Sequence, residues 1–245
     1  MLLSTLTGGD LAFCAVVLAI AYVVRGLAGF GSGLISIPLL ALRLPLQAVV
    51  PLVVLLDYIA SFSQSLASRR EVRWRELLPL LPFTLIGVIA GVLILKTVSA
   101  DAMSHALGAF VLFFAFYQFF GLEVTGGYSK AWAALAGSSG GLIGTLFGTG
   151  GPFYIIYFRL RGLDKSELRA TFAATFLIDG SGRLVGYAAA DLFTRDFLLT
   201  ALAALPVMAV ALYVGGHIHT RISPRTFQRA ISLLLVGSGL ALLLK

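Results

Sequence analysis

Gly137-Ser-Ser-Gly-Gly-Leu-Ile-Gly-Thr-Leu-Phe-Gly-Thr-Gly-Gly-Pro152 lies inside a long apolar run. A second, more worn copy, Arg25-Gly-Leu-Ala-Gly-Phe-Gly-Ser-Gly-Leu-Ile-Ser-Ile-Pro38, lies inside another. A soluble core seldom carries so much glycine. In lipid, each glycine lets a second backbone come close, and a cluster of glycines invites the helix to break. A break at membrane depth survives only where its freed N–H and C=O groups are buried in protein or face water. Two such breaks, at matching places in two half-chains, point to the binding site of a transporter.

Composition sets the class. Of 245 residues, 59% are hydrophobic and 12% are charged, about half the charge of an ordinary soluble domain. Several apolar runs exceed the ~17 residues that cross a bilayer. The reading is an all-α integral membrane protein, multi-pass, in a bacterial inner membrane. The net charge of +7 does not indicate nucleic acid, because the basic residues cluster in short loops between apolar runs, the positive-inside pattern. Cys14 stands alone, which excludes a disulfide framework and a cysteine metal site. His105, His217 and His219 have no carboxylates at metal-ligand spacing, so neither metal nor cofactor is expected. Residues 1–10 lack a positive n-region, and no cleavable signal peptide is expected.

The chain then divides in order. A broken element at 11–42 is followed by spans at 46–66, 77–95 and 103–122. A second broken element at 131–158 is followed by spans at 170–190, 197–216 and 226–244. Gly29 aligns with Gly148, Asp57 with Asp179, Pro82 with Pro206 and Ser99 with Ser223. The same elements recur in the same order, so residues 1–122 and 123–245 are read as two repeat halves. If each broken element is a hairpin of two legs of about 15 residues, the halves are inverted. The loops 68–76, 121–130, 159–169 and 217–229 then share one side and carry most of the basic residues. The other side keeps only Arg43, Lys96, Arg195 and Lys245. Single crossings would split the basic residues almost evenly. The positive-inside rule therefore favours hairpins and inverted repeats.

A helix that restarts after a break presents unpaired N–H groups and partial positive charge, and so can bind an oxyanion. Phe30, Gly31, Ser32 and Gly33 in one copy, and Gly148, Thr149, Gly150 and Gly151 in the other, are the expected substrate-binding residues. Ser32 and Thr149 add hydroxyls, and Pro152 suits a first helical turn. The plainer reading of such glycines is helix packing. That reading is assigned to the GxxxG pairs Gly87/Gly91, Gly140/Gly144, Gly144/Gly148 and Gly182/Gly186. Arg25, Asp57, Asp179 and Arg183 fall in or near apolar spans, where an unpaired charge costs at least ~2.5 kcal/mol. The arginines are candidate counter-charges for an anion and the aspartates candidate proton carriers. The alternative is a buried pair that holds helices together, with Asp179 and Arg183 one turn apart, or Arg25 reaching an interface. Ser61 and Gln64 either line the same path or bond helix to helix. Gly137-Ser-Ser-Gly140 also matches an intramembrane serine protease motif. That chemistry needs an activating histidine, and the only candidates, His217 and His219, are expected at the membrane edge.

The motifs Gly26-Leu-Ala-Gly-Phe-Gly-Ser-Gly-Leu34 and Gly140-Gly-Leu-Ile-Gly-Thr-Leu-Phe-Gly-Thr-Gly-Gly-Pro152 resemble those of the TauE/SafE family of sulfite exporters and related permeases. The resemblance covers nearly the whole chain and implies transport of sulfite or of sulfur-containing organic anions such as sulfoacetate. It also implies fewer spans than the hairpin count gives. One crossing plus a partial leg per broken element would reconcile the two. The expectation is a secondary transporter, an exporter of sulfite or a small organosulfonate. Substrate is held where the two breaks meet, access alternates between sides, and coupling is to protons. An anion channel is the competing class. The partners are a small oxyanion and the lipid bilayer, without nucleic acid. The oligomeric state is not legible.

Overall fold

The computed structural model describes residues 7–67, 69–95, 97–120, 127–218 and 224–244, and among them every regular element is helical. Ser68, Lys96, the junction 121–126, the segment 219–223 with His219, Arg221 and Ser223, Lys245 and the side chain of Gln64 lie outside the described residues. The helices are α1 (Gly8–Ala28), α2 (Ser32–Leu40), α3 (Leu46–Ala67), α4 (Trp74–Leu77), α5 (Leu81–Leu95), α6 (Ala100–Phe120), α7 (Trp132–Phe147), α8 (Gly151–Leu160), α9 (Lys165–Ala189), α10 (Arg195–His217) and α11 (Pro224–Leu243). They form two compact units, one of residues 1–50, 98–123 and 195–245, the other of residues 51–97 and 124–194. Each unit draws on both of the sequence halves.

In the first unit, Thr7 and Asp10 start α1 with a capping box, each side chain accepting from the other's backbone N–H. Gly29 ends α1 at φ 87° and Gly31 precedes α2 at φ 99°. Both lie in the left-handed region that residues with a Cβ avoid. The chain then folds back. Arg43 Nη1 lies 2.6 Å from Asp10 Oδ1, and its guanidinium lies 4.8 Å from the centre of the Phe13 ring. The entry to α1 and the exit from α2 therefore meet, and the element is a hairpin. α1 packs on α10 with almost no side chain between the backbones. A Cβ at Gly26 would stand 2.6 Å from Leu212 O, and one at Gly215 would stand 2.3 Å from Val23 O. α6 pairs with α11 through Gly108 and Gly239.

The second unit repeats the plan. Gly148 ends α7 at φ 62°, and α8 begins at Gly151 with a proline in its first turn. The backbone N–H groups of Gly127 and Tyr128 donate to Leu160 O at 3.1 and 3.3 Å, and Arg161 donates to Tyr128 O. This broken element is also a hairpin. α7 lies against α5, where a Cβ at Gly87 would be 2.3 Å from Ser138 O and one at Gly141 would be 2.3 Å from Thr84 O. So α1 packs on α10, the second span of the second half, and α7 packs on α5, the second span of the first half. The first-span helices α3 and α9 touch through Tyr58, whose ring lies against Gly180 and whose hydroxyl accepts from Ser181 Oγ at 3.2 Å.

One expectation needs correcting. The hairpin legs are unequal rather than two lengths of about 15 residues. α1 has 21 residues and α2 has 9; α7 has 16 and α8 has 10. At ~1.5 Å per residue, α1 reaches about 32 Å, the thickness of a bilayer core, and α2 about 14 Å. The division falls where the glycines with positive φ are, and those lie past the middle of each apolar run.

The second unit also gathers the basic loops. Arg73 pairs with Glu167, Ser166 Oγ donates to Glu71, and Arg73 N donates to Thr171 Oγ1 at 2.9 Å. Arg161 grips Glu76 with Nε at 2.6 Å and Nη2 at 3.4 Å. These carboxylates raise both guanidinium pKa values above their ordinary level, through the hydrogen bond first and the charge second. The segments 69–76 and 159–169 thus lie together at one end of this unit.

Among the described residues, five helices are long and apolar enough to cross a membrane: Gly8–Ala28, Leu46–Ser63, Trp74–Leu95, Ala100–Tyr117 and Arg195–His217. Their outward faces carry Leu85, Ile86, Ile89 and Leu93 on α5, Phe113 and Phe116 on α6, and Leu202 and Val210 on α10, all exposed. Water would not tolerate that surface, and lipid accepts it. α9 has 25 residues, enough to span, but it buries the charged Asp179 and Arg183.

Candidate functional site

α9 starts with a capping box in which Asp164 Oδ1 accepts from Ser166 N at 2.8 Å and from Glu167 N at 2.9 Å. From there its buried face runs through Thr171, Thr175, Asp179, Arg183 and Tyr187, at the four-residue spacing that keeps side chains on one stripe. Asp179 and Arg183 are both buried, at 3% and 0% exposure. Arg183 Nε donates to Asp179 Oδ1 at 3.1 Å, and Nη2 reaches Asp179 Oδ2. The pair is bidentate and dry. It is the arrangement in which an ion pair best offsets the cost of leaving water.

Three further groups complete the cluster. Tyr154 of α8 is fully buried and donates its hydroxyl to Asp179 Oδ2 at 3.0 Å. Tyr187 donates to Thr145 O of α7 at 2.7 Å. Arg183 Nη2 lies 3.4 Å from Gly140 O, and the guanidinium stacks 5.2 Å from the Phe176 ring centre. The glycines of α7 make the space. A Cβ at Gly140 would stand 2.4 Å from the Tyr154 ring, and one at Gly144 would stand 2.0 Å from Arg183 Nη2. Gly140 and Gly144, assigned to helix packing by their spacing, accommodate side chains of the site. A Cβ at Gly150, in the break itself, would meet Gly140 O at 2.1 Å and Arg183 Nη2 at 3.0 Å. The guanidinium therefore lies against the gap between α7 and α8.

Two buried polar atoms here have no protein partner among the described residues: Arg183 Nη1 and Thr149 Oγ1. Thr149 is buried at 2% exposure between Gly148 and Gly150, two residues before α8 begins. Helical geometry leaves the first N–H groups of a helix without an intrahelical acceptor of the i−4 kind, and here the Phe153 N–H takes Gly150 O at 3.2 Å.

The break in the other unit is built differently. Arg25, 1% exposed, sends Nη1 to Ser32 Oγ at 3.1 Å, and Ser36 Oγ donates to Ser32 O at 2.8 Å. Phe30 and Gly31 are half-buried and Gly33 is buried in the first turn of α2. A Cβ at Gly31 would meet nothing within 4 Å, so this glycine serves the backbone angle and leaves open space beside it. Asp57 is buried on α3 at 2% exposure, with buried Ser61 one turn on where the second half has Arg183.

Comparison with known proteins now has a site to refer to. The sequence profile of the family "Sulfite exporter TauE/SafE" matches residues 13–242. The chain belongs to the TauE/SafE family. It is 28% identical over 195 residues to the "Probable inner membrane transporter protein TsaS" of Comamonas testosteroni, covering 78% of this chain and 81% of that one. It is also 28% identical over 234 residues to the "Probable sulfite/organosulfonate exporter TauE" of Cupriavidus necator, covering 88% and 87%. No solved structure matches it. This TauE/SafE member is a multi-pass protein of the inner membrane and belongs to a family of transporters.

The sequence already allowed Asp179 and Arg183, one turn apart, to pair; the structure makes that pair and sets it against the second glycine cluster. Within the first unit it brings Arg25 to Ser32. It adds Tyr154, Tyr187, Gly140 and Gly144, which the sequence reading left out of the site. Tyr187 was findable, since it continues the Asp179–Arg183 stripe by one turn. Tyr154 was not, because nothing in the sequence says that the start of α8 faces α9.

Proposed function

We propose that this TauE/SafE member is a secondary transporter that exports sulfite or a small organosulfonate. Its oxyanion is held at the glycine-rich helix breaks. In the second unit the ligands are the backbone N–H groups of Thr149, Gly150 and Gly151, the Thr149 hydroxyl and the Arg183 guanidinium, while the Gly148 N–H stays with Gly144 O at 2.9 Å. In the first unit Gly31, Ser32 and Gly33 offer the corresponding helix end, with Phe30 beside it and Arg25 as its charge. Asp57 and Asp179 are the coupling carboxylates, and access alternates between the two sides of the membrane.

One observation carries the reading: a fully buried arginine lies against a helix break with one nitrogen unpartnered among the described residues, and the buried Thr149 hydroxyl in that break is likewise unpartnered among them. Unused buried donors are costly, and an anionic ligand satisfies both. The names of the two relatives supply the substrate class, sulfite or organosulfonate, and membrane transport. Inverted repeats are part of the proposal. They are supported by the two hairpins and by the meeting of segments 69–76 and 159–169, which single crossings would separate.

The test is transport of radiolabelled sulfite, kept anaerobic, in liposomes holding the purified protein. Saturable uptake with counterflow is expected, and Thr149→Val and Arg183→Ala should each abolish it. Full transport by Arg183→Ala removes the arginine from the site, and unsaturated conductance without counterflow makes the protein a channel.

A further inference from the structure

The cation that an entering oxyanion needs already has an anion. Asp179 takes Arg183 Nε at 3.1 Å and Nη2 as well, so one edge of the guanidinium, two of its three nitrogens, is occupied by protein. Tyr154 fixes the carboxylate in place at 3.0 Å. A second anion at Nη1 and at the start of α8 would share one buried guanidinium with that carboxylate, and two like charges in a dry site cannot both stay ionised at close range. Resting on the oxyanion reading above, we propose that Asp179 is an internal competitor for Arg183, so that the site takes up one proton with each oxyanion it binds.

The surroundings single out Asp179 as the group that titrates. The titratable neighbours from its own helix are Arg183 and Tyr187, and the Tyr187 hydroxyl is committed to Thr145 O. α8 contributes Tyr154, already a donor to the carboxylate. α7 contributes Gly140, Gly144 and Thr145, none of which titrates. α3 contributes Tyr58, bonded to Ser181, with buried Asp57 next to it in sequence. Asp57 lacks an arginine one turn on, since Ser61 stands there. A proton from hydronium or a buffer acid moves onto the Asp179 carboxylate, forming one O–H bond as the donor's bond to that proton breaks; the freed guanidinium edge turns to the oxyanion, and no other bond is made or broken. For a singly charged anion, the empty site (Arg183 positive, Asp179 negative) and the loaded site (Arg183 positive, oxyanion negative, Asp179 neutral) have the same net charge. Reorientation is then electroneutral, and anion and proton move in the same direction.

The probe is isethionate, whose sulfonate stays ionised throughout and so adds no proton of its own. Calorimetric titration of the full-length protein in buffers of different ionisation heat counts the protons taken up. The expected result is one proton per isethionate at alkaline pH, with Kd rising about tenfold per pH unit while Asp179 is ionised in the free protein. Asp179→Asn should bind isethionate with a Kd independent of pH and no proton uptake, a readout that a purely structural role would not produce. Wild-type binding without proton uptake between about pH 5 and pH 9 overturns the coupling and leaves the oxyanion site standing. Proton uptake that persists in Asp179→Asn also overturns it. Failure to bind any sulfonate or sulfite at any pH removes the oxyanion site and the coupling together. Should Asp179→Asn not fold, the wild-type proton count decides alone.

Discussion

Arg183 shows what a single residue can demand of a membrane protein. Its guanidinium is wholly buried, and three groups answer for it: the Asp179 carboxylate, the Gly140 carbonyl and the Phe176 ring. Replacing it by alanine leaves Asp179 as an unpaired buried charge, so Arg183→Ala should lower stability by about 3–5 kcal/mol unless Asp179 protonates. Thermal unfolding in detergent at two pH values checks this, with the deficit shrinking in acid. Arg183→Lys keeps the charge but not the planar fork, and should retain stability better than it retains transport. Two glycines test different physics. Gly144→Ala puts a methyl group 2.0 Å from Arg183 Nη2, so the guanidinium must move, at about 1–3 kcal/mol and with loss of anion binding. Gly31→Ala meets no atom within 4 Å but must hold φ near 99°. It should cost only about 1–2 kcal/mol of backbone strain. Equal effects of the two variants on anion binding would show that Gly144 is a spacer and nothing more.

At the scale of elements, the apolar runs and the glycine clusters marked where helices lie and break, and the contacts were not legible. The helix starts came from the capping boxes Thr7–Asp10 and Asp164–Glu167, which begin α1 at Gly8 and α9 at Lys165 rather than at 11 and 170. The unequal hairpin legs needed the backbone angles at Gly29, Gly31 and Gly148, because one glycine among many in a cluster carries no mark of which will take the left-handed turn. Helix pairing likewise depends on which glycine faces which backbone. Gly141→Ala would push a methyl group to 2.3 Å from Thr84 O and separate α5 from α7, and Gly26→Ala would do the same to α1 and α10. Each should cost about 1–3 kcal/mol, measured as a fall in unfolding temperature. Gly237→Ala on α11 meets nothing within 4 Å and should be neutral or stabilising by up to about 1 kcal/mol. If all three variants unfold alike, close backbone approach is not what joins these helices.

For the whole molecule, the helices of the two sequence halves exchange partners. Each compact unit takes a broken hairpin from one half of the sequence and the second span from the other, so neither half of the sequence coincides with a packing unit. The arrangement of the halves in the membrane can be measured directly. In a Cys14→Ser background, cysteines at positions 70 and 165 should react with an impermeant thiol reagent from the cytoplasmic side only. Cysteines at 43 and 195 should react from the opposite side only. Reaction of 70 and 165 from opposite faces would replace inverted repeats by parallel ones.

By itself the sequence determined the solvent of this protein, its helical class and the two places where helices break. Those are properties of local composition and period, and lipid enforces them because it offers the backbone no other hydrogen-bond partner. Only the tertiary structure decided that Asp179, Arg183, Tyr154 and the gap at Gly148–Gly150 occupy one place. Burial of a charge depends on what the neighbouring helices leave open, and here the opening is made by glycines whose spacing reads only as packing.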